Sequence, residues 1–500
     1  MRDMAMAFSF GAAPEIAAFM VAYRLANLFR RLFGESNLQG GFIPHFEELR
    51  GEDPKRAFLF YRDTAFSLTI LLIVCVGGIE AFLWAFARVY GGDFGSIANL
   101  AMWMAPGLLF ICLSALNSAL LQCQKRYFGP AAASALFNFV WIGGALASRQ
   151  MDLWLAAQWM SLSVTFGFAL QWVATAQMAR GEVRSYVSAL EWLQPQVFSA
   201  EWKRIVAPMA LGILGVGAMQ INSALDALFA RLADPSGPAY LWYAIRVQQL
   251  PLALFGVALS GALLPPLSRA MKEGAFERYR ELLIAALKRA SLLMVPCMFG
   301  LFALGCSGLN LIYGRGDFNS GALRETVLCL WGYGIGLVPA VFVLILSAGF
   351  YARKNYGGAT KASLYAVAAN GALNAFFVFG LHWGAVSIAL ATSASALLNC
   401  ALLMKRDVFK EIAAPLARLA LAGAGSSCIA ILFGSVWLGD PTLAICKGEE
   451  ALFVRTFWSQ AVEFCSMSAL FIGAFLGLSW ALRLSEVFSL FIRPIFRKLR

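Results

Sequence analysis

Residues 12–33 read AAPEIAAFMVAYRLANLFRRLF, an apolar run with Arg24 inside it. The run is long enough to cross the about 30 Å of bilayer hydrocarbon as one helix. An arginine at mid-bilayer costs about 3 kcal/mol on insertion scales, so it must face a wet cavity or a partner. Arg2, in the apolar segment 2–10, and Arg246, in the run 238–265, are placed the same way, in a chain that keeps almost every other charge out of such stretches. These three residues predict a polar, cationic chamber inside a helical membrane protein, and an anionic substrate to fill it.

The rest of the chain has the composition of an integral membrane protein. It is 60% hydrophobic and 14% charged, with a mean hydropathy of +0.69, which a soluble domain could not carry without exposing most of its apolar surface. Further runs of membrane-spanning length lie at 63–88, 97–122, 128–149, 153–178, 205–233, 238–265, 285–313, 325–351, 362–382, 384–404, 412–438 and 458–483, which with 12–33 makes thirteen complete spans. The segment from Arg2 to Phe10 is half the needed length and reads as the back end of a fourteenth helix. It predicts either a longer native product or a shortened helix beside a cavity open to the cytoplasm. A cleavable signal peptide would need a basic leader and a small-residue cleavage site, which this segment lacks.

The basic residues set the orientation. Of the 40 lysines and arginines, thirty fall in the loops after the even-numbered spans or in the C-terminal tail, and seven in the opposite loops. This bias places both termini in the cytoplasm, and the net charge of +12 then reports membrane topology and not nucleic-acid binding. The ten cysteines lie mostly within apolar spans without Cys-x-x-Cys spacing, as small packing residues, with Cys446 alone expected on the oxidising side.

A weak internal repeat runs in register with this topology. Ala57, Phe58, Tyr61 and Arg62 return as Ala275, Phe276, Tyr279 and Arg280; Tyr90-Gly91-Gly92-Asp93-Phe94 returns as Tyr313-Gly314-Arg315-Gly316-Asp317-Phe318. Ser118-Ala119, Lys125 and Tyr127 return as Ser347-Ala348, Lys354 and Tyr356, and Leu38 to Pro44 resembles Leu259 to Pro265. Six helices per copy give both copies the same membrane orientation, so a pseudo-twofold axis along the membrane normal relates them. The expected fold is all-α and polytopic, with about 14 transmembrane helices. It comprises an N-lobe over 1–180, a cytoplasmic linker over 181–204, a C-lobe over 205–410, and two additional helices with a basic tail over 411–500.

Enzyme chemistry finds little support. His45 and His382 are the two histidines, both near loop ends, where solvated or capping roles are the ordinary ones. There is no Walker loop, Gly-x-Ser-x-Gly, His-Glu-x-x-His or Asp-rich diphosphate–metal motif. Uphill work would then come from an ion gradient or the membrane potential. The polar residues within spans are the functional candidates. Arg24, Arg30 and Arg31 share a broad face of the second span, and paired guanidinium donors suit phosphate; the alternative is that Arg30 and Arg31 mark the helix end. Arg246 sits in the equivalent helix of the other half, beside Gln248 and Gln249. Asp226, Asn370, Asn374 and Thr392 offer oxygen ligands from three spans to a hard monovalent cation, the alternative being that the asparagines tie helices together.

The run Tyr23-Arg24-Leu25-Ala26-Asn27-Leu28-Phe29-Arg30-Arg31-Leu32-Phe33-Gly34-Glu35, continuing to Phe42-Ile43-Pro44, resembles the second-helix signature of the MurJ (MviN) lipid II flippases. These belong to the multidrug/oligosaccharide-lipid/polysaccharide exporter superfamily. Trp242-Tyr243-Ala244-Ile245-Arg246 through Leu250-Pro251, Gly256 to Leu259 and Leu264-Pro265 resembles the eighth, and Tyr313 to Gly316 and Phe350 to Arg353 fit as well. The resemblance covers essentially the whole chain.

It implies a flippase, not an enzyme, that moves the undecaprenyl-diphosphate-linked peptidoglycan precursor to the periplasmic leaflet of the bacterial inner membrane. It also implies a cationic cavity in which Arg2, Arg30 and Arg246 match arginines for the pyrophosphate and sugar head, with Asp3 following Arg2. Spans 13 and 14 resemble a pair that forms a lipid-tail groove, and Asp226, Asn370, Asn374 and Thr392 fall where some members bind sodium. Association with cell-wall synthesis proteins belongs to the same picture.

There are departures from the pattern. The family has further residues before Arg2, including another arginine; Ala17 replaces an acid early in the second span, and Gln249 replaces one after Arg246. Gating would fall to another group, with Glu15 the candidate. The competing readings are a flippase for another polyprenyl-linked oligosaccharide and a cation-coupled drug antiporter of the same superfamily. The antiporter would want acids where this chain has arginines. A membrane-embedded glycosyl or prenyl transferase lacks its metal motifs, and a non-transporting scaffold would not need buried charges.

Overall fold

A computed structural model describes residues 1–33, 35–447, 456–484 and 486–487, with the side chains of 29–33, 35–37, 207–219, 257 and 447 excepted. Every regular element among the described residues is helical. Eleven helices among them are long and apolar enough to cross a membrane, and two more, Pro14–Phe33 and Ala200–Ala233, coincide with the spans read at 12–33 and 205–233. The chain packs as two compact units, Met1–Arg231 and Leu232–Arg500.

In the first unit α1 (Arg2–Phe10) ends at Gly11 with φ 58°, a left-handed turn that leads into α2 (Pro14–Phe33). The region 34–62, treated in sequence as a loop, is instead mostly helical. It forms α3 (Glu35–Glu52) and the start of α4 (Pro54–Tyr90), which the Asp53 side chain caps through the Lys55 amide. Gly40, Gly41 and Pro44 discourage a helix locally, and it holds because Leu38, Phe42 and Phe46 are buried. At 37 residues, α4 spans about 55 Å, more than the hydrocarbon needs. Its first turns bury Phe58, Phe60 and Tyr61, while Val74, Phe82 and Val89 lie exposed for lipid.

The fourth span is broken at Ala105-Pro106 into α5 (Gly92–Met104) and α6 (Gly107–Cys123). The hairpin of α7 (Phe128–Ala147) and α8 (Leu153–Val183) follows, and its helices approach so closely that a Cβ on Gly144 would lie 2.6 Å from Ser163 Oγ. Small residues permit such close backbone approach where lipid supplies no hydrophobic drive.

The segment after α8 is fastened to α4. Arg62 donates to the Glu191 carbonyl (2.5 Å), Asp63 accepts from the Gln196 amide (2.9 Å), and Ser67 accepts from the Phe198 amide (2.8 Å). Within it the short α9 (Ala189–Trp192) carries a Ser188–Glu191 capping box. α10 (Ala200–Ala233) starts with Glu201 bound to His45 and Arg56 and reaches Arg231, bound to Asp93. These ties at both ends explain why the packing boundary falls after Arg231, while the repeat divides the sequence at 181–204. Repeat and packing boundaries need not coincide.

The second unit comprises α11 (Gly237–Pro251), a widened π turn at Leu252–Val257, α12 (Ala258–Lys272), α13 (Phe276–Tyr313), α14 (Ser320–Ile335), α15 (Leu337–Ala352), α16 (Tyr356–Ala375), α17 (Val386–Leu403), α18 (Arg406–Phe433), α19 (Thr442–Lys447) and α20 (Phe457–Ala481). Its core is built around Leu287, Met294, Val341, Ile345 and Ala422, from α13, α15 and α18. The tenth span is broken at Gly336, near Pro339, as the fourth is at Pro106. The Tyr61 hydroxyl bonds the Asn117 amide of α6 (2.7 Å), and its repeat partner Tyr279 donates to the Gly349 carbonyl of α15 (3.0 Å). The sequence repeat is thus a structural one.

Candidate functional site

α1, α2 and α7 build an aromatic wall in the first unit. Trp141 is buried, with Tyr23 edge-on at 4.8 Å and Phe19 at 5.4 Å between ring centroids. The Arg2 guanidinium lies over its ring at 4.6 Å, and Arg2 Nε is 3.5 Å from Asp3 Oδ1. An aromatic face stabilises a partly desolvated cation without using its N–H donors. Arg24 lies on α2, half-buried. Arg30 and Arg31 belong to the helical backbone of α2, but their side chains lie outside the described residues.

The second unit repeats the arrangement on one helix. The Arg246 guanidinium lies 4.6 Å over the ring of Trp242, one turn earlier on α11. Gln248 is buried and Gln249 exposed. Just beyond, Pro251 and the π turn widen the helix, a disturbance found often at functional positions.

Of the cation candidates, Asp226 is buried in α10 of the first unit and faces the Asn222 amide at 3.4 Å. Asn370 and Asn374, on one face of α16, are buried in the second unit. Thr392, on the adjacent α17, donates its hydroxyl to the Ile388 carbonyl (2.9 Å), which leaves its oxygen lone pairs available.

Three charged features were not legible in the sequence. His45, read as a solvated or capping residue, is instead a buried side chain within α3, with Nε2 2.7 Å from Glu201 and Nδ1 3.2 Å from Glu48. Its main partner is 156 positions away, so no local pattern announces it. Arg231, one of the seven basic residues assigned to the opposite loops although it stands at the end of the run 205–233, is buried and grips Asp93 through Nε (2.8 Å) and Nη2 (2.5 Å) and the Pro14 carbonyl through Nη1 (2.6 Å). Asp440 and Glu463 form the third feature, a buried carboxyl pair in the second unit.

Broken helices in two repeated halves, with arginines on aromatic faces, define a polytopic all-α membrane fold. Solved structures share it. The lipid II flippase MurJ in its inward closed conformation aligns with a TM-score of 0.71 at 21% identity, covering 97% of this chain and 96% of that one. An inward-facing multidrug resistance MATE family transporter of the MOP superfamily aligns at 0.64 and 14% identity, covering 83% and 93%.

The family model described as lipid II flippase MurJ matches residues 6–445. The probable lipid II flippase MurJ of Chlamydia muridarum is 31% identical over 374 residues, 75% of this chain and 69% of the relative. The lipid II flippase MurJ of Burkholderia cenocepacia is 28% identical over 423 residues, 82% and 81% of the two chains. This chain belongs to the MurJ family.

Proposed function

We propose that this protein is a lipid II flippase, a transporter that carries the lipid-linked peptidoglycan precursor from the cytoplasmic to the periplasmic leaflet by alternating access. The family match over residues 6–445 carries the reading, and the chemistry agrees with it. Arg2 and Arg246, each stacked on a tryptophan inside the spans, suit a diphosphate that must shed water before crossing. Asp3, Arg24, Arg30 and Arg31 of the first unit and Gln249 of the second are the further residues proposed to contact the headgroup. The reading puts the protein in the bacterial inner membrane; the lysine and arginine bias supports cytoplasmic termini, and association with cell-wall synthesis proteins is part of the same proposal. Depletion of the resident flippase in a bacterium, with this chain supplied in its place, tests the function. Rescue supports it; failure of a well-expressed chain leaves a flippase for another polyprenyl-linked oligosaccharide or a drug antiporter as the alternative.

Sodium coupling through Asp226, Asn370, Asn374 and Thr392 is part of the same proposal. Oxygen ligands from several helices suit a hard monovalent cation such as sodium. Flux with and without sodium, in the wild type and in Asp226→Asn, tests it. Equal, sodium-independent flux in both would make these residues structural and leave membrane potential as the driver.

A further inference from the structure

The outer ends of α13, α18 and α20 enclose two carboxyls that the transport reading does not use. α18 runs into a widened turn at Gly434–Leu438, Gly439 takes φ 70°, and the Asp440 amide closes onto the Gly434 carbonyl at 3.0 Å. Asp440 Oδ1 then accepts from the Thr442 amide (2.9 Å), opening α19. A Cβ on Gly434 would stand 2.7 Å from Met467 Cε and 3.2 Å from Asp440 Cβ. Glycine therefore lets the turn lie flat on the face of α20 that carries Met467 and, one turn earlier, Glu463.

There the carboxyls of Asp440 and Glu463 come within hydrogen-bonding reach of each other, 4% and 5% exposed. Asp440 Oδ2 and Glu463 Oε1 have no hydrogen-bond partner among the described residues. Thr442 Oγ1, fully buried, has no hydrogen-bond partner among the described residues and lies beside the Cys306 thiol of α13. Asn310 of α13, one turn on from Cys306, is bonded to Gln460 (3.1 Å), and Cys446 of α19 lies near Cys306. Arg315, just past the same end of α13, is turned to the Phe457 ring and the Leu311 carbonyl. Neither acid has a basic partner among the described residues.

Two like charges in contact cannot both stand buried and uncompensated. We propose that Asp440, Glu463 and Thr442 form a site for one exchangeable positive charge, either a proton shared by the two carboxyls or a hard monovalent cation held by the three oxygens. It is distinct from the Asp226, Asn370, Asn374 and Thr392 set, and Glu463 lies beyond the residues matched by the family model.

The test is carbodiimide labelling of the purified full-length protein, which modifies protonated carboxyls in apolar surroundings, mapped by mass spectrometry and paired with melting temperature. Glu463 should react, and E463Q should lose the adduct. Labelling that falls several-fold at alkaline pH and ignores sodium assigns the charge to a proton. Protection by sodium but not choline at constant pH assigns it to a metal cation. D440N, which keeps the shape of the side chain, should remove whichever dependence is seen. Labelling and melting temperature indifferent to pH and sodium, or equally responsive in D440N, would overturn the site.

Discussion

Lys125 and Lys354 adopt the same left-handed backbone, φ 59° in each, at the C-terminal ends of α6 and α15. The bonds around them correspond as well: the Arg126 amide reaches the Leu121 carbonyl (2.9 Å) as the Asn355 amide reaches Phe350 (3.0 Å), and Lys125 reaches Gln122 as Lys354 reaches Tyr351. This is a helix stop of the kind that usually uses glycine, built twice with a lysine whose charge suits the helix C-terminus.

Because a left-handed residue with a Cβ costs roughly 1 to 2 kcal/mol, Lys125→Gly and Lys354→Gly should each raise the melting temperature slightly. Lys125→Val, branched at Cβ, should lower it. Equal melting temperatures for the glycine and valine variants would show that the strain is absent.

Arg2→Ala and Arg246→Ala should abolish rescue of a flippase-depleted strain with expression intact. Each removes a charge-assisted donor worth about 1.5 to 3 kcal/mol, about 10- to 100-fold in binding. Arg30→Ala should behave alike. Trp242→Phe, which keeps an aromatic face under Arg246, should weaken rescue without ending it. Normal growth of Arg246→Ala would remove Arg246 from the headgroup site.

Arg231 is buried, with its side chain 5% exposed, while that of its partner Asp93 is 42% exposed. Asp93→Asn, which leaves the buried guanidinium uncompensated, should therefore cost more, about 3 kcal/mol, than Arg231→Met, which leaves a half-exposed carboxylate, about 1 kcal/mol. Arg231→Lys cannot span both Asp93 and the Pro14 carbonyl and should fall between them. Melting temperatures of the three variants in detergent check the order.

The segment carrying α9 should stay fastened to α4 well into the acid range. Glu191 is lowered to about 2, first by its bond to Lys55 and then by the Ser188 amide and hydroxyl. A carboxylate lowered on folding stabilises the fold above its unfolded value and loses that contribution as pH falls through the folded one. Limited proteolysis within 185–199 should therefore rise as pH drops from about 4.3 toward 2, and Glu191→Gln should be cut modestly faster than the wild type at neutral pH. Equal cleavage of the two at neutral pH would show that the clip does not hold the segment.

The spans were legible in sequence because crossing a bilayer is a requirement of length and apolarity that each segment meets by itself. The repeat was legible because its copies keep the same residues at matched positions, Tyr61 with Tyr279 in helices and Lys125 with Lys354 at helix ends. Intramembrane arginines stood out for the same local reason: Arg2, Arg24 and Arg246 cost too much in lipid to be incidental. What depends on distant partners was hidden. α3 forms against its own glycines and Pro44 because its apolar face is buried, and His45 gains its meaning from Glu201.

The breaks at Pro106 and Gly336 lie inside runs whose hydropathy is continuous. Arg231 reads as a loop residue until Asp93 closes on it. Asp440 and Glu463 meet only because Gly434 lets a turn lie against α20. Sequence alone thus determined that the chain is an all-α polytopic membrane protein and which charges stand inside its apolar runs. Tertiary structure decided which charges meet, because burial and pairing are set by neighbours far along the chain.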